Sequence, residues 1–358
     1  MRAWAFTSCG SHRRVLKLCD IATPRLPANP PKPTYLIRIS NSALNPATLL
    51  TMSLVPSFMR TKPTIAEMDF SGIVQLVSFP PGASREYHSN CFKPGTKVFG
   101  LLDFKKLSIK GVGTLAEYVV AEEDKMAMGV VPEGVDMKEA AALPAVGMTA
   151  LKMCRAAGLD QGKGEGKSIL VNGASGGVGT MAVQIAKAMG ANTVVGICPG
   201  ENEELVRSLG ADEVIDYRSN IPVFAHLARH YASQKFDAIL DTVGIQSLYE
   251  SSPSYLKPCG LYVNVGAYEG GMLWITWCAL KNLFLPTWLG GTPRKWIFFA
   301  TEPTYEAAEQ LLKYLKEGKV RPVVGSEFEF EEVLQAYDLL STKHACGKIV
   351  IKVQNLDS

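Results

Sequence analysis

VNGASGGVGTMAVQIAKAMG, residues 171–190, decides the fold, because it joins an apolar strand, a glycine-rich turn and a helix in one run. Ser168 to Val171 supply the strand. Gly173, Gly176, Gly177 and Gly179 remove side chains where backbone amides at a helix N-terminus would face a pyrophosphate. Val178, Ala182, Ile185, Ala186 and Met189 recur at helical spacing on one face, and Gln184 and Lys187 lie on the other. A second strand, Thr193 to Cys198, follows. The fingerprint reads Ala174-x-Gly176-x-x-Gly179, with alanine at its first glycine position, and the order strand, turn, helix, strand is what a dinucleotide-binding unit requires. Ala174, Ser175, Gly176, Gly177, Val178 and Gly179 are therefore the candidate cofactor-binding turn.

The tip of the second strand bears on which dinucleotide. An acid there would bond a ribose 2′-hydroxyl and repel a 2′-phosphate. Cys198 occupies the tip and Pro199 and Gly200 follow, which favours NADPH, although Glu201 opens the next segment. Tyr217 and Arg218, at the end of ADEVIDYR, are candidate partners of a 2′-phosphate, together with Arg207. Plain surface charge is the ordinary alternative for both arginines.

A chain of 358 residues has room for two cores. Hydrophobic residues at 47% and charged residues at 20% describe a soluble globular protein. The 37 basic and 34 acidic residues are scattered and net +3, which leaves no footprint for nucleic acid. Eight cysteines lie far apart without a Cys-x-x-Cys pair, as reduced thiols in the cytoplasm do. The N-terminus lacks the apolar core of a signal peptide. The most apolar stretch, Met272 to Leu289, is interrupted by Lys281, Asn282 and Pro286, so no transmembrane span is expected. A lid, a dimer contact or a peripheral membrane contact are its readings, in that order.

Along the chain, residues before about 130 are rich in proline, glycine and β-formers, with turns at Pro30-Pro31, Pro80-Pro81-Gly82 and Pro94-Gly95. From Met137 the pattern becomes helical. Alternating segments follow: helix Glu201 to Leu209, strand Glu213 to Tyr217, helix Ile221 to Tyr231, strand Asp237 to Asp241 and strand Leu261 to Val265. This alternation predicts an α/β fold with a doubly wound parallel sheet. Thr304 to Gly318 reads as an amphipathic helix closed by glycine. The final KIVIKV is expected to return to the N-terminal β domain, with the active site in the cleft between the domains.

The succession SALNPATLL, MDFSGIV, GTLAEYVV, LPAVGMTALK, VNGASGGVG, GADEVIDY, DTVG, LYVNVGAY and GKIVIKV resembles the medium-chain dehydrogenase/reductase superfamily from end to end. Within it the chain is most similar to the zinc-free quinone oxidoreductase and enoyl reductase branch. The resemblance implies a GroES-like, mostly β catalytic domain over residues 1–136 and 302–358, and a Rossmann domain over 137–301. It implies reduction of enones, enoyl compounds or quinones by NADPH, and a homodimer. Asn45 matches an asparagine near the nicotinamide, though an Asn-Pro turn residue is an equal reading. Thr149 resembles a threonine near the nicotinamide ribose. Val243 of the DTVG turn and Val265 and Gly266 of LYVNVGAY join the cofactor set. Lys348 is placed to reach a cofactor phosphate, with a solvated strand-end lysine as the alternative.

Catalytic zinc needs three ligands of the Cys, His or acid type. The segments that hold them in zinc-dependent relatives offer Asn45, Met68 and Ala145 or Val146 here, so no metal is expected. His226 and His230, at i and i+4, lack a third ligand. Without a Lewis acid, conjugate reduction remains: hydride reaches the electron-poor carbon and the protein stabilises the enolate oxygen. Some relatives carry a proton-donating tyrosine after the Asn-Pro, but Asn45 to Lys62 contains none, which leaves Thr48, Thr51, Lys62 or water. The relatives usually carry Pro-Gly ahead of the acidic position where this chain has Ala66-Glu67, a charge expected to line or approach the substrate cleft and read either as selecting a ligand or as marking a site drifted from ordinary reduction. Two further hypotheses stay open: a non-redox isomerase, dehydratase or cyclase, and an NADPH-binding protein with little turnover.

Overall fold

The computed structural model describes residues 1–83, 91–104, 106–122, 126–160, 164–266, 272–300 and 302–355. It divides into two compact units. One comprises Met1–Met148, Glu302–Lys316 and Arg321–Ser358, and the other Thr149–Thr301 and Glu317–Val320.

In chain order the strands are β1 (Arg2–Phe6), β2 (Lys17–Asp20), β3 (Thr34–Ala43), β4 (Thr64–Ile65), β5 (Asp69–Ser78), β6 (Lys97–Leu102), β7 (Tyr118–Glu122) and β8 (Met126–Val130), all in the first unit. Next come β9 (Ser168–Asn172), β10 (Thr193–Cys198), β11 (Glu213–Asp216), β12 (Phe236–Asp241), β13 (Leu256–Asn264) and β14 (Lys295–Phe298) in the second. Finally β15 (Val324–Glu329) and β16 (Lys348–Lys352) return to the first.

The first unit is built on two sheets. A small one runs β2-β1-β4, and a larger one runs β15-β16-β3-β5-β6-β8, with β7 paired to β3. The C-terminal strand does return to the N-terminal sheet: β16 lies antiparallel to β3, with Val350 opposite Ala43 and Lys352 opposite Asn41. Ala43, Val350 and Ala142 pack there as one buried cluster. β15 shows the alternation of a strand with one wet face, whereas β16 is buried nearly throughout. Leu143-Pro144 breaks the predicted helix after Met137 into Met137–Ala142, capped by the Asp136 carboxylate, and Pro144–Ala156. Proline lacks the amide that an unbroken helix would need there.

The second unit is a six-stranded sheet in the order β11-β10-β9-β12-β13-β14, every pairing parallel. Central strands are buried without alternation, as a parallel sheet covered on both faces requires. Leu170, Ile197, Ile215, Phe236 and Ile239 belong to its core. β13 begins earlier than the sequence predicts: Leu256 pairs with Phe236 and Leu261 with Ala238, so the ladder bulges across Lys257–Gly260. Pro258 and Gly260 in that stretch are the turn signal that hid the strand's start.

Candidate functional site

In the second unit three strand ends converge. Helix Gly177–Ala188 starts directly after β9, with Gly176 as its N-cap and no side chain capping its first turn. Gly173 has φ +77°, and a β-carbon there would lie 2.5 Å from Thr242 Oγ1. A β-carbon on Gly179 would lie 2.0 Å from the Gly173 carbonyl, so this glycine lets helix and strand close up. At Gly176 the only contact would be the Gly173 carbonyl at 3.4 Å, which leaves the turn open on its outer side. Gly176, Gly177 and Val178 are half-buried, Ala174 is fully buried, and Ser175 Oγ accepts from Asn202 Nδ2 at 3.2 Å.

Asp241, at the end of β12, ties these ends together. Its buried carboxylate accepts from the amides of Val243, Gly244 and Ile245, from Asn172 Nδ2 at 2.8 Å and from the Tyr262 hydroxyl at 2.6 Å. The Asp241 carbonyl accepts from the Val265 amide at 3.0 Å. Gly266 is held by Asn264 Oδ1, and a β-carbon on it would lie 2.1 Å from the Val243 carbonyl carbon. Val243, Val265 and Gly266 are thus brought beside the glycine turn. A hollow adjoining them is lined by Gly244, Asn264, Gly266, Trp274, Trp296 and Phe298. Sequence reasoning read DTVG as a turn and passed over Asp241; an acid followed directly by turn residues was the available signal.

Around β10 the picture is more mixed. Cys198 is 1% exposed, so its thiol is packed inward and its carbonyl accepts from the Tyr217 amide. Its registered neighbour on β11 is Asp216, whose carboxylate bonds the Ser219 hydroxyl and the Arg218 amide. The Ser219 bond holds that carboxyl below its ordinary range. This acid, beside Gly200, was missed from sequence. Arg218 is exposed and pairs with Glu201 at 2.8 Å. Arg207 pairs with Glu203 on its own helix. Thr149 is half-buried on helix Pro144–Ala156.

The first unit holds a second polar assembly, built on Asn45. The residue stands at the N-cap of helix Pro46–Leu54 yet makes no cap. Its Nδ2 turns to the Ala43 carbonyl at 3.1 Å, Glu67 Oε2 at 3.1 Å and Asp69 Oδ2 at 3.0 Å. Lys348 is buried. Its ammonium donates to the Leu44 carbonyl, Asn45 Oδ1 at 2.9 Å and Asp69 Oδ2 at 3.0 Å, so it is not the solvated strand-end lysine weighed from sequence. Asp69 Oδ1 accepts from the Ala145 amide. Glu67 adopts φ +67°, a left-handed conformation that favours glycine, and its Oε1 accepts from the Tyr337 hydroxyl at 2.5 Å. Burial pushes the Glu67 carboxyl up to about 7, against the opposing hydrogen bond from Tyr337. Thr48 is fully buried and its Oγ1 makes no hydrogen bond among the described residues.

This assembly does not fit zinc. The oxygens of Asn45 and Asp69 are already engaged by the Lys348 ammonium, and Met68 and Ala145 add no credible donor. Among the described residues, no three His, Cys, Asp or Glu side chains gather to hold a metal. Nor, among them, is any helix long and apolar enough to cross a membrane. The stretch Met272 to Leu289 folds as helix Met272–Phe284 and a short turn, with Trp277 61% and Trp288 80% exposed.

Comparison with known proteins gives this geometry a lineage. A family profile described as zinc-binding dehydrogenase matches residues 209–351. The chain is 32% identical to medium chain reductase pydE of Acremonium sp, over 99% of each. It is 36% identical to trans-enoyl reductase pgmF of Aspergillus terreus, over 99% of this chain and 96% of that one. A quinone oxidoreductase structure from Coxiella burnetii superposes with TM-score 0.77 at 27% identity, covering 99% of both chains. The chain belongs to the medium-chain dehydrogenase/reductase superfamily, in its quinone oxidoreductase and enoyl reductase-like branch.

Proposed function

We propose that this chain is an NADPH-dependent reductase of activated carbon–carbon double bonds or quinones, working without zinc. The observation that carries the reading is the convergence of the Gly173–Gly179 turn, the Val243 turn and Gly266 under the hold of Asp241. That cradle fits a dinucleotide: the Gly176–Gly179 amides at the helix N-terminus would take the pyrophosphate, and Val243, Val265 and Gly266 would border the nicotinamide half. Bound there, the cofactor would supply hydride to an electron-poor carbon.

The remaining work is orientation and charge stabilisation by the chain's own groups. Asn45 is the residue we assign to the substrate's carbonyl oxygen or the nicotinamide, and Thr149 to the ribose. Tyr217 and Arg218 are assigned to a 2′-phosphate, against the competing charges of Glu201 and Asp216. Lys348 acts by fixing Asn45. Thr48 remains a candidate donor because its hydroxyl is unengaged among the described residues. In our reading residues 1–136 with 302–358 form the catalytic domain and 137–301 the nucleotide domain. The protein works in the cytoplasm as a homodimer, and the exposed tryptophans of Met272 to Leu289 are consistent with a contact surface.

The test is a screen of the protein with NADPH against quinones, short enones and enoyl thioesters, following the loss of NADPH absorbance. Substrate-dependent loss supports the reading. Tight NADPH binding with no turnover of any of the three classes overturns it, and conversion without NADPH loss identifies a non-redox enzyme.

A further inference from the structure

The Asn45 side chain has more acceptors than protons to give. Its two N–H bonds face Ala43 O, Glu67 Oε2 and Asp69 Oδ2, while its oxygen is held by Lys348. Which acceptors win depends on their charge. Asp69 is matched by the Lys348 ammonium, and all three protons of that ammonium are engaged. Glu67 has no cation of its own among the described residues.

The elements packed against Glu67 supply few other charges. Asp69 comes from β5 and Lys348 from β16. Helix Val333–Ser341 brings Tyr337, with His12 stacked on that ring at 5.7 Å. His12 in turn pairs with Asp338, which Arg13 also binds. The segment around Thr114 brings no charge: the Thr114 amide goes to the Glu67 carbonyl, its hydroxyl to the Asp69 carbonyl and the Leu115 amide to the Ala66 carbonyl. An ionised Glu67 therefore adds one unbalanced negative charge to a fully buried pocket, and its carboxyl is held up to about 7 by that burial.

We infer that the Glu67–Tyr337 pair is a proton-dependent positioning device for Asn45, ionised Glu67 drawing the Asn45 amide to itself and protonated Glu67 leaving the two Asn45 N–H bonds to the Ala43 carbonyl and Asp69. Tyr337 is a two-way partner. It donates to ionised Oε1, and when Oε1 carries a proton its oxygen accepts, so Glu67 Oε2 becomes a carbonyl-type acceptor with a weaker hold on Asn45. The left-handed backbone at Glu67 places a carboxylate in a conformation that favours glycine. The proton is exchanged with solvent and no bond other than O–H changes. This inference rests on the assignment of Asn45 to substrate or nicotinamide.

Selective 15N labelling of asparagine gives a readout that needs neither cofactor nor substrate. The Asn45 side-chain resonances of the free protein should titrate with a midpoint at about 7. The titration should vanish in Glu67→Gln and in Glu67→Gly, whose glycine is at ease at this φ. It should move to higher pH in Tyr337→Phe, which loses the bond that favours the ionised acid. With NADPH and menadione, kcat should differ about tenfold between pH 6 and pH 8, the ratio of protonated fractions for such a group. KM for the quinone should change less, and Glu67→Gln should flatten the profile. Asn45 resonances independent of pH, or unchanged in Glu67→Gln, overturn the device. A titrating Asn45 with no menadione turnover supports the device and removes its link to the proposed reaction.

Discussion

Two buried carboxylates, Asp241 at the end of β12 and Glu67 in the link between β4 and β5, meet opposite solutions to the same problem. Asp241 receives three backbone amides along with Asn172 and Tyr262, so its charge is solvated by groups that the fold itself fixes in place. Glu67 receives two side chains, Asn45 and Tyr337, from segments distant in sequence, and burial raises its carboxyl toward neutrality. An acid held by backbone is part of the scaffold. An acid held by side chains from separate segments is a switchable one.

Removing the backbone-held acid should have the largest effect. Asp241→Ala strands three amides, a tyrosine hydroxyl and an asparagine amide, and should cost roughly 3–5 kcal/mol, the range for removing one partner of a buried charged network. The expected result is a large fall in Tm together with lost nucleotide binding, and a fall of only a few degrees would show that the loops do not depend on it. Gly177→Asp should leave Tm nearly unchanged while abolishing NADPH binding by calorimetry, because it sets bulk and negative charge at the proposed pyrophosphate turn. Retained binding would move the phosphate elsewhere.

Glu67 gives the next effect, and its sign is the reverse of the usual acid. Its folded value, about 7, lies above the unfolded one, so the fold binds the proton more tightly. That contribution is fullest below the unfolded value and is lost as pH rises to about 7. The change amounts to about 3 kcal/mol in all. Urea unfolding across that range should show the decline, and Glu67→Gln should remove most of it. The smallest effect is expected at Arg218, an exposed residue shared with Glu201. Arg218→Ala should weaken NADPH by about fivefold, with NADH unchanged and the difference shrinking as salt rises. Equal losses for both cofactors would remove Arg218 from the 2′-phosphate site.

The same contrast explains what the sequence allowed one to read. Local features were legible: β10 runs from Thr193 to Cys198 as its apolar run predicts, and the glycine turn sits between strand and helix. These depend on neighbours within a few residues. Glu67 was visible as an oddity, but its partner Tyr337 lies 270 residues away and carries no local mark. Lys348 offered the same difficulty, since nothing in GKIVIKV distinguishes a solvated ammonium from one buried against Asn45 and Asp69. Asp216 escaped because parallel register, rather than sequence distance, sets it beside Cys198.

The pairing of β16 with β3 also has a consequence for how the protein is born. The second unit is nearly contiguous, from Thr149 to Thr301, so almost all of it is synthesised before β16. β3 must wait for a strand about three hundred residues downstream, which at ordinary synthesis rates of about 5–20 residues per second is roughly 15–60 s. During that interval the β3 edge that β16 will cover has no native partner, so the nascent N-terminal sheet is where chaperone capture and premature strand pairing should concentrate.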